Sequence, residues 1–272
     1  MTGRIDRWER DGCGITVYVP SRAEEGLPVL YVGDGGWVSG DAGLWNALTE
    51  AAEAIPCLLA AVEPRDRDAD YTPWPAPPLK AGEPPFAGRA EEYLAFLTGR
   101  LLPELEDRYP FADARRRGLM GYSLGGLFAL YALYRTDAFC WLGCLSGSLW
   151  YEEWTAYMAA HQPADPGTAV YLSLGQGEHR SRHPRLGAVY ARTLEARALL
   201  EKQLTSSPLW EEPPGGHFAD IPGRFVRAVS RFGQCAQEQR RKGASRLNWV
   251  HIDSLLQKIS SNTFPAVVSS YG

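Results

Sequence analysis

Long hydrophobic runs are missing from this chain of 272 residues. None approaches the roughly 20 apolar residues that a membrane-spanning helix requires, so no membrane partner is expected. Residues 1–11 are charged and lack an apolar stretch, so no secretory signal is expected either. Charge of one sign is scarce as well. A net charge of -4 leaves no basic surplus for nucleic acid or an anionic surface. Cysteine is sparse and odd in number, at five: Cys13, Cys57, Cys140, Cys144 and Cys235. They read as buried thiols of a reducing compartment rather than as a disulfide framework, which predicts a cytoplasmic protein. Cys140 and Cys144 have no second Cys or His pair nearby at zinc-ligand spacing, so no metal and no cofactor is expected. There is no internal repeat, and no low-complexity tract beyond one Pro-rich loop.

What is present is an alternation of buried-strand and helix patterns. Residues 15–19 are rich in β-branched residues and predict an early, antiparallel strand. Apolar runs at 27–32, 57–62, 117–120, 139–145 and 169–174 predict strands, the first two buried on both faces. Helical spacing covers 41–55, 90–109, 124–136, 150–161, 185–204 and 221–232, with a weaker stretch at 249–259. Such an alternation predicts an α/β protein whose mostly parallel central sheet carries helices on both faces. A single domain over 1–232 is expected, followed by a tail, 233–272, without an assigned role. Residues 63–85 have no periodicity and are rich in proline, aromatics and charge, which favours a binding loop over a linker.

The sequence Gly121-Tyr122-Ser123-Leu124-Gly125 has G-x-S-x-G spacing, with a strand pattern before it and a helix pattern after it. That context is what a nucleophile elbow requires. Ser123 is the expected nucleophile, and the amide of Leu124, at the start of the helix, is an expected oxyanion donor. The second donor should come from the loop after 27–32, as the amide of Gly36 or of Trp37. A Ser hydroxyl needs a base, and the chain order of this fold is Ser, acid, His. His217 is the expected base, ahead of His179, His183 and His251. Glu178, directly after the strand at 169–174, is the expected acid. Asp165 and Asp220 are rivals, and a Ser-His pair without an acid is also open.

Five segments together resemble the esterase family of α/β-hydrolases, and within it the siderophore esterases that open enterochelin-, salmochelin- and bacillibactin-type trilactones. They are Pro28-Val29-Leu30-Tyr31-Val32-Gly33-Asp34-Gly35, Arg67-Asp68-Ala69-Asp70-Tyr71-Thr72-Pro73, Gly121-Tyr122-Ser123-Leu124-Gly125-Gly126-Leu127-Phe128, Ser146-Gly147-Ser148-Leu149-Trp150-Tyr151 and Gly215-Gly216-His217. The resemblance spans about residues 15–232. It implies the α/β-hydrolase fold and ester hydrolysis with Ser123 as nucleophile and His217 as base. It also implies that a basic residue meets an anionic, catecholate-rich substrate; Arg67 matches that position, with Arg65 nearby. Trp74 and Trp150 are further expected substrate contacts. No Asp precedes His217 where relatives often carry one, and the tail matches no segment of the family. The expected partner is a small-molecule ester, foremost a catecholate siderophore. Other acyl esters or thioesters, and a catalytically silent binding protein, are the rival functions.

Overall fold

The protein is described from a computed structural model over residues 3–261, with side chains through residue 241. Eight strands form one sheet: β1 (Arg4–Arg10), β2 (Cys13–Val19), β3 (Leu27–Val32), β4 (Leu58–Val62), β5 (Ala112–Tyr122), β6 (Trp141–Leu145), β7 (Ala169–Ser173) and β8 (Leu209–Glu211). Their order is β1-β2-β4-β3-β5-β6-β7-β8. β2 is antiparallel to both β1 and β4, and every later pairing is parallel. This is the expected α/β-hydrolase arrangement, with a mostly parallel sheet.

The helices are α1 (Gly35–Gly40), α2 (Ala42–Ala54), α3 (Arg67–Asp70), α4 (Ala90–Phe96), α5 (Leu102–Arg108), α6 (Leu124–Arg135), α7 (Trp154–Ala160), α8 (Pro184–Gly187), α9 (Val189–Gln203) and α10 (Ile221–Ser261). They cover both faces of the sheet, because the side chains of a strand alternate between faces. Val29 and Tyr31 of β3 join one core with Leu94 of α4, Phe128 of α6 and Trp154 of α7. Leu30 and Val32 join the other with Leu48 of α2 and with Phe225, Val229 and Phe232 of α10. A strand lying between two such layers must be apolar at every position, and β3, β4 and β6 are buried throughout.

Several elements differ from the sequence reading. The helix expected over 90–109 is broken by a π-helical turn, Leu97–Leu101, ahead of Pro103. Proline has no N–H to donate and crowds the preceding turn, and the wider turn accommodates it. β1 was not anticipated, because Arg-Ile-Asp-Arg-Trp-Glu-Arg has a charged outer face and lies at the sheet edge with most positions exposed. β8 is three residues long and sits in a segment with no readable period.

The chain divides into two compact units, Met1–Cys235 and Ala236–Gly272. In the second the described backbone is helical to Ser261, whereas the sequence pattern predicted helix only at 249–259. Among the described residues no helix is long and apolar enough to cross a membrane, and no disulfide is formed.

Candidate active site

Every segment of interest lies beyond the carboxyl end of a strand, where ligands bind on open parallel sheets. β5 ends at Tyr122, and α6 begins at Leu124. Between them Ser123 has φ 58° and ψ -117°. Such a backbone costs on the order of 1–3 kcal/mol and persists only where its surroundings enforce it. Here the Ser123 amide donates to the Leu145 carbonyl at 2.9 Å, and the Ser148 amide donates to the Ser123 carbonyl at 2.9 Å. The bend also needs a bare Gly121: a Cβ there would stand 2.4 Å from the Gly125 carbonyl carbon. Gly121→Ala should therefore cost about 3 kcal/mol or more in urea unfolding and lose activity with it. A fully stable, active variant would contradict this account of the bend. No protein acceptor among the described residues takes the Leu124 amide, which heads α6.

Glu178 follows β7 and is buried, while His217 follows β8 and is half-buried. The His217 ring contacts Glu178 Oε2 through Nδ1 at 2.9 Å. On its other oxygen, Glu178 Oε1 accepts from Ser146 Oγ at 2.6 Å and from the Gly175 amide at 2.8 Å. Burial by itself would push the Glu178 carboxyl upward. The hydrogen bonds from His217 and Ser146, the nearby imidazole charge and the Gly175 amide outweigh it and hold the group at about 2, so it is a carboxylate near neutral pH. Ser123 Oγ lies 3.2 Å from Ser148 Oγ, and its hydrogen bond in this structure is to that hydroxyl rather than to His217. Catalytic hydrogen bonds are commonly loose before substrate binds.

Ser123, Leu124, Glu178 and His217 all line one cavity of about 850 Å³. The loop 63–85 supplies a wall through Arg67, Leu79 and Pro84, as its composition led us to expect. Arg67 is partly committed: its Nε donates to Asp34 Oδ1 at 2.7 Å, and its Nη2 donates to the Tyr122 carbonyl at 3.2 Å. The facing Asp34 is pushed upward by burial, against the pull of Arg67. Trp150 lines the cavity, and the Arg185 guanidinium lies 5.0 Å from its ring centre.

Four expected positions fall elsewhere. Gly36 enters α1 straight after the left-handed Asp34, and its amide donates to the Glu63 carboxylate, so it does not face the cavity as an oxyanion donor. Trp37, the alternative donor, also lies outside the cavity lining, and its ring packs against Tyr122 and Phe225. Arg65 turns away from the cavity to pair with Asp70 at 3.5 Å. Trp74 belongs to an aromatic cluster with Tyr151, Trp154 and Tyr157, and its Nε1 donates to the Glu152 carbonyl at 3.1 Å.

The rival groups also sit apart. His183 contacts the Leu79 carbonyl through Nε2 at 2.8 Å, and His179 packs edge-on against Tyr190. Asp165 accepts from the Gly167 amide, and Asp220 pairs with Arg227. His251 lies outside the residues whose side chains are described. Sequence reasoning missed Asp34, Ser146, Ser148 and Arg224. The two serines had a visible signal in the Ser-Gly-Ser-Leu-Trp segment. Among the described residues, no group of three or more His, Cys, Asp or Glu side chains is arranged to hold a metal ion.

Comparison with known proteins bears on the family and the fold. Residues 10–207 match the model of the Esterase family, described as "Putative esterase". The uncharacterized protein YbbA of Bacillus subtilis is 30% identical over 217 residues, which are 77% of this chain and 86% of that protein. A siderophore triacetylfusarinine C esterase of Aspergillus fumigatus is 28% identical over 149 residues, 50% of this chain and 48% of that protein. The structure of the siderophore hydrolase EstB from Aspergillus nidulans superposes with a TM-score of 0.66 at 21% identity, covering 85% of this chain and 95% of that one, a likeness that establishes the fold. The match over residues 10–207 and the YbbA alignment place the chain in the Esterase family, as a hydrolase that acts on ester bonds.

Proposed function

We propose that the protein is a serine esterase in which Ser123 attacks the ester carbonyl and His217, oriented by Glu178, moves the proton. The observation that carries this reading is the convergence of three strand ends on one cavity. A hydroxyl at a strained bend shares it with an imidazole whose Nδ1 is 2.9 Å from a buried carboxylate. His217 takes the Ser123 proton as the Oγ–carbonyl bond forms, and the Leu124 amide donates to the oxyanion. The imidazolium then protonates the departing alkoxide, leaving an acyl-enzyme. Water attacks that ester with His217 again as base, and Ser123 recovers its proton as the acid is released.

The substrate we propose is a siderophore-type polyester. Support comes from the segments shared with siderophore esterases, from the similarity to a triacetylfusarinine C esterase, and from a cavity large enough for a bulky ester. Arg67 and Trp150 are its proposed contacts, Arg67 offering Nη1, which meets no acceptor among the described residues. One observation favours a second reading, a carboxylesterase for uncharged acyl esters. Asp34 balances Arg67, and Asp66, Asp68 and Glu83 line the same wall, so the cavity is not distinctly basic. Comparing kcat/KM on a catechol trilactone, a neutral hydroxamate siderophore ester, a feruloyl ester and a thioester separates the two. The siderophore reading predicts a preference of about tenfold or more for one of the first two, on the order of 1.4 kcal/mol in the transition state. Higher values on the feruloyl ester or the thioester would replace it with the second.

A further inference from the structure

Arg224, in the first turn of α10, is fully buried, yet it belongs to no element of the reaction described so far. Its Nη1 donates to Glu178 Oε1 at 2.9 Å and to Tyr122 Oη at 3.1 Å, with Ser146 Oγ also in contact. Its Nη2 donates to the Gly216 carbonyl at 2.8 Å. Tyr122 Oη in turn donates to the His217 carbonyl at 2.5 Å. One guanidinium thus touches the acid, the residue before the base and the residue before the nucleophile.

Resting on the Ser123–His217–Glu178 reading, we propose that Arg224 is the positioning residue of the site: it holds Glu178 and the His217 loop in register with the elbow. Glu178 Oε1 is occupied by Ser146, Gly175 and Arg224, which leaves Oε2 for His217. The Gly216 and His217 carbonyls are pinned on either side of the His217 α-carbon, so the imidazole enters from a fixed backbone. A purely stabilising role accounts for this poorly. Taking an ion pair fully out of water costs about as much as the pairing returns, and Arg224 Nε is buried with no acceptor among the described residues. Lysine cannot replace the fork, because an ammonium donates from one point and cannot reach acid and loop together.

The test is steady-state hydrolysis of p-nitrophenyl butyrate by Arg224→Lys, in the wild-type and in the Glu178→Gln background, with Ser123→Ala as control. We expect kcat to fall about 10- to 100-fold with KM within about twofold, in line with losses seen when the supports of a reacting group are removed. In the Glu178→Gln background the same change should cost several-fold less, because the carboxylate, one of the two groups through which Arg224 acts, is already lost. An unchanged kcat, or an equal loss in both backgrounds, overturns the proposal. If Arg224→Lys does not fold, Tyr122→Phe carries the test: a several-fold lower kcat at constant KM supports the proposal, and an unchanged kcat overturns it. Activity retained by Ser123→Ala would instead remove the reading on which the proposal rests.

Discussion

Ser123→Ala should lower kcat for p-nitrophenyl butyrate by about 10⁶-fold, the scale seen when a serine nucleophile is deleted from such a constellation. The residual rate would come from the Leu124 amide and from substrate binding, which survive the change. Stability should hardly move. The bend at φ 58° is set by the chain around it, and alanine meets the same backbone conformation as serine. The lost hydrogen bond, to Ser148 Oγ at 3.2 Å, is a single long one, worth about 1 kcal/mol. Circular dichroism and urea unfolding should therefore overlay the wild type within about that amount. A variant that is folded and still turns over at more than about a tenth of the wild-type rate would remove Ser123 as nucleophile.

Glu178→Gln should reduce kcat by about 10³- to 10⁴-fold, because an amide of the same shape can neither stabilise an imidazolium nor hold the required tautomer. The same substitution tests the electrostatics of the fold. The Glu178 carboxyl titrates at about 2 in the folded protein against its ordinary 4.5. A group lowered in this way binds more protons when unfolded, so its stabilisation is complete above pH 4.5 and is lost as the pH falls toward 2. That lowering corresponds to on the order of 3 kcal/mol, at about 1.4 kcal/mol for each tenfold change in proton affinity. Urea unfolding should find Glu178→Gln weaker than wild type by that order at pH 7, with the gap closing steadily between pH 4.5 and 2. A gap that stays constant over this range would mean the carboxylate is not held as described.

The elbow was readable because everything it needs is local: an apolar strand, two glycines at fixed spacing and a helix with an apolar face. Chain order then narrowed the partners, and the structure brings Glu178 and His217 to the same cavity as Ser123. What could not be read depends on side-chain direction. Arg65 and Arg67 stand two positions apart in one segment, yet the turn into α3 sends one to Asp70 and the other to Asp34. Trp74 was legible as a loop aromatic, but its rings of contact come from α7, some 80 positions later in the chain. The Gly36 amide faces Glu63 because β4 delivers that carboxylate beside α1, which no local pattern announces. Arg224 was hidden by its neighbours: Phe225, Ala228, Val229 and Phe232 form the apolar stripe of α10, and an arginine next to such a stripe reads as a solvated flank. β1 and β8, one charged and one very short, lie at the two edges of the sheet, where burial leaves the weakest imprint on sequence.

Peptide mapping by mass spectrometry after reaction with a fluorophosphonate tests the central claim most directly, because the reagent is attacked by the group that attacks the ester. The account predicts a single adduct on Ser123, formed at least about 100-fold more slowly in His217→Ala, on the scale of a general base's contribution. An adduct on another residue, or undiminished labelling of Ser123→Ala, would contradict it.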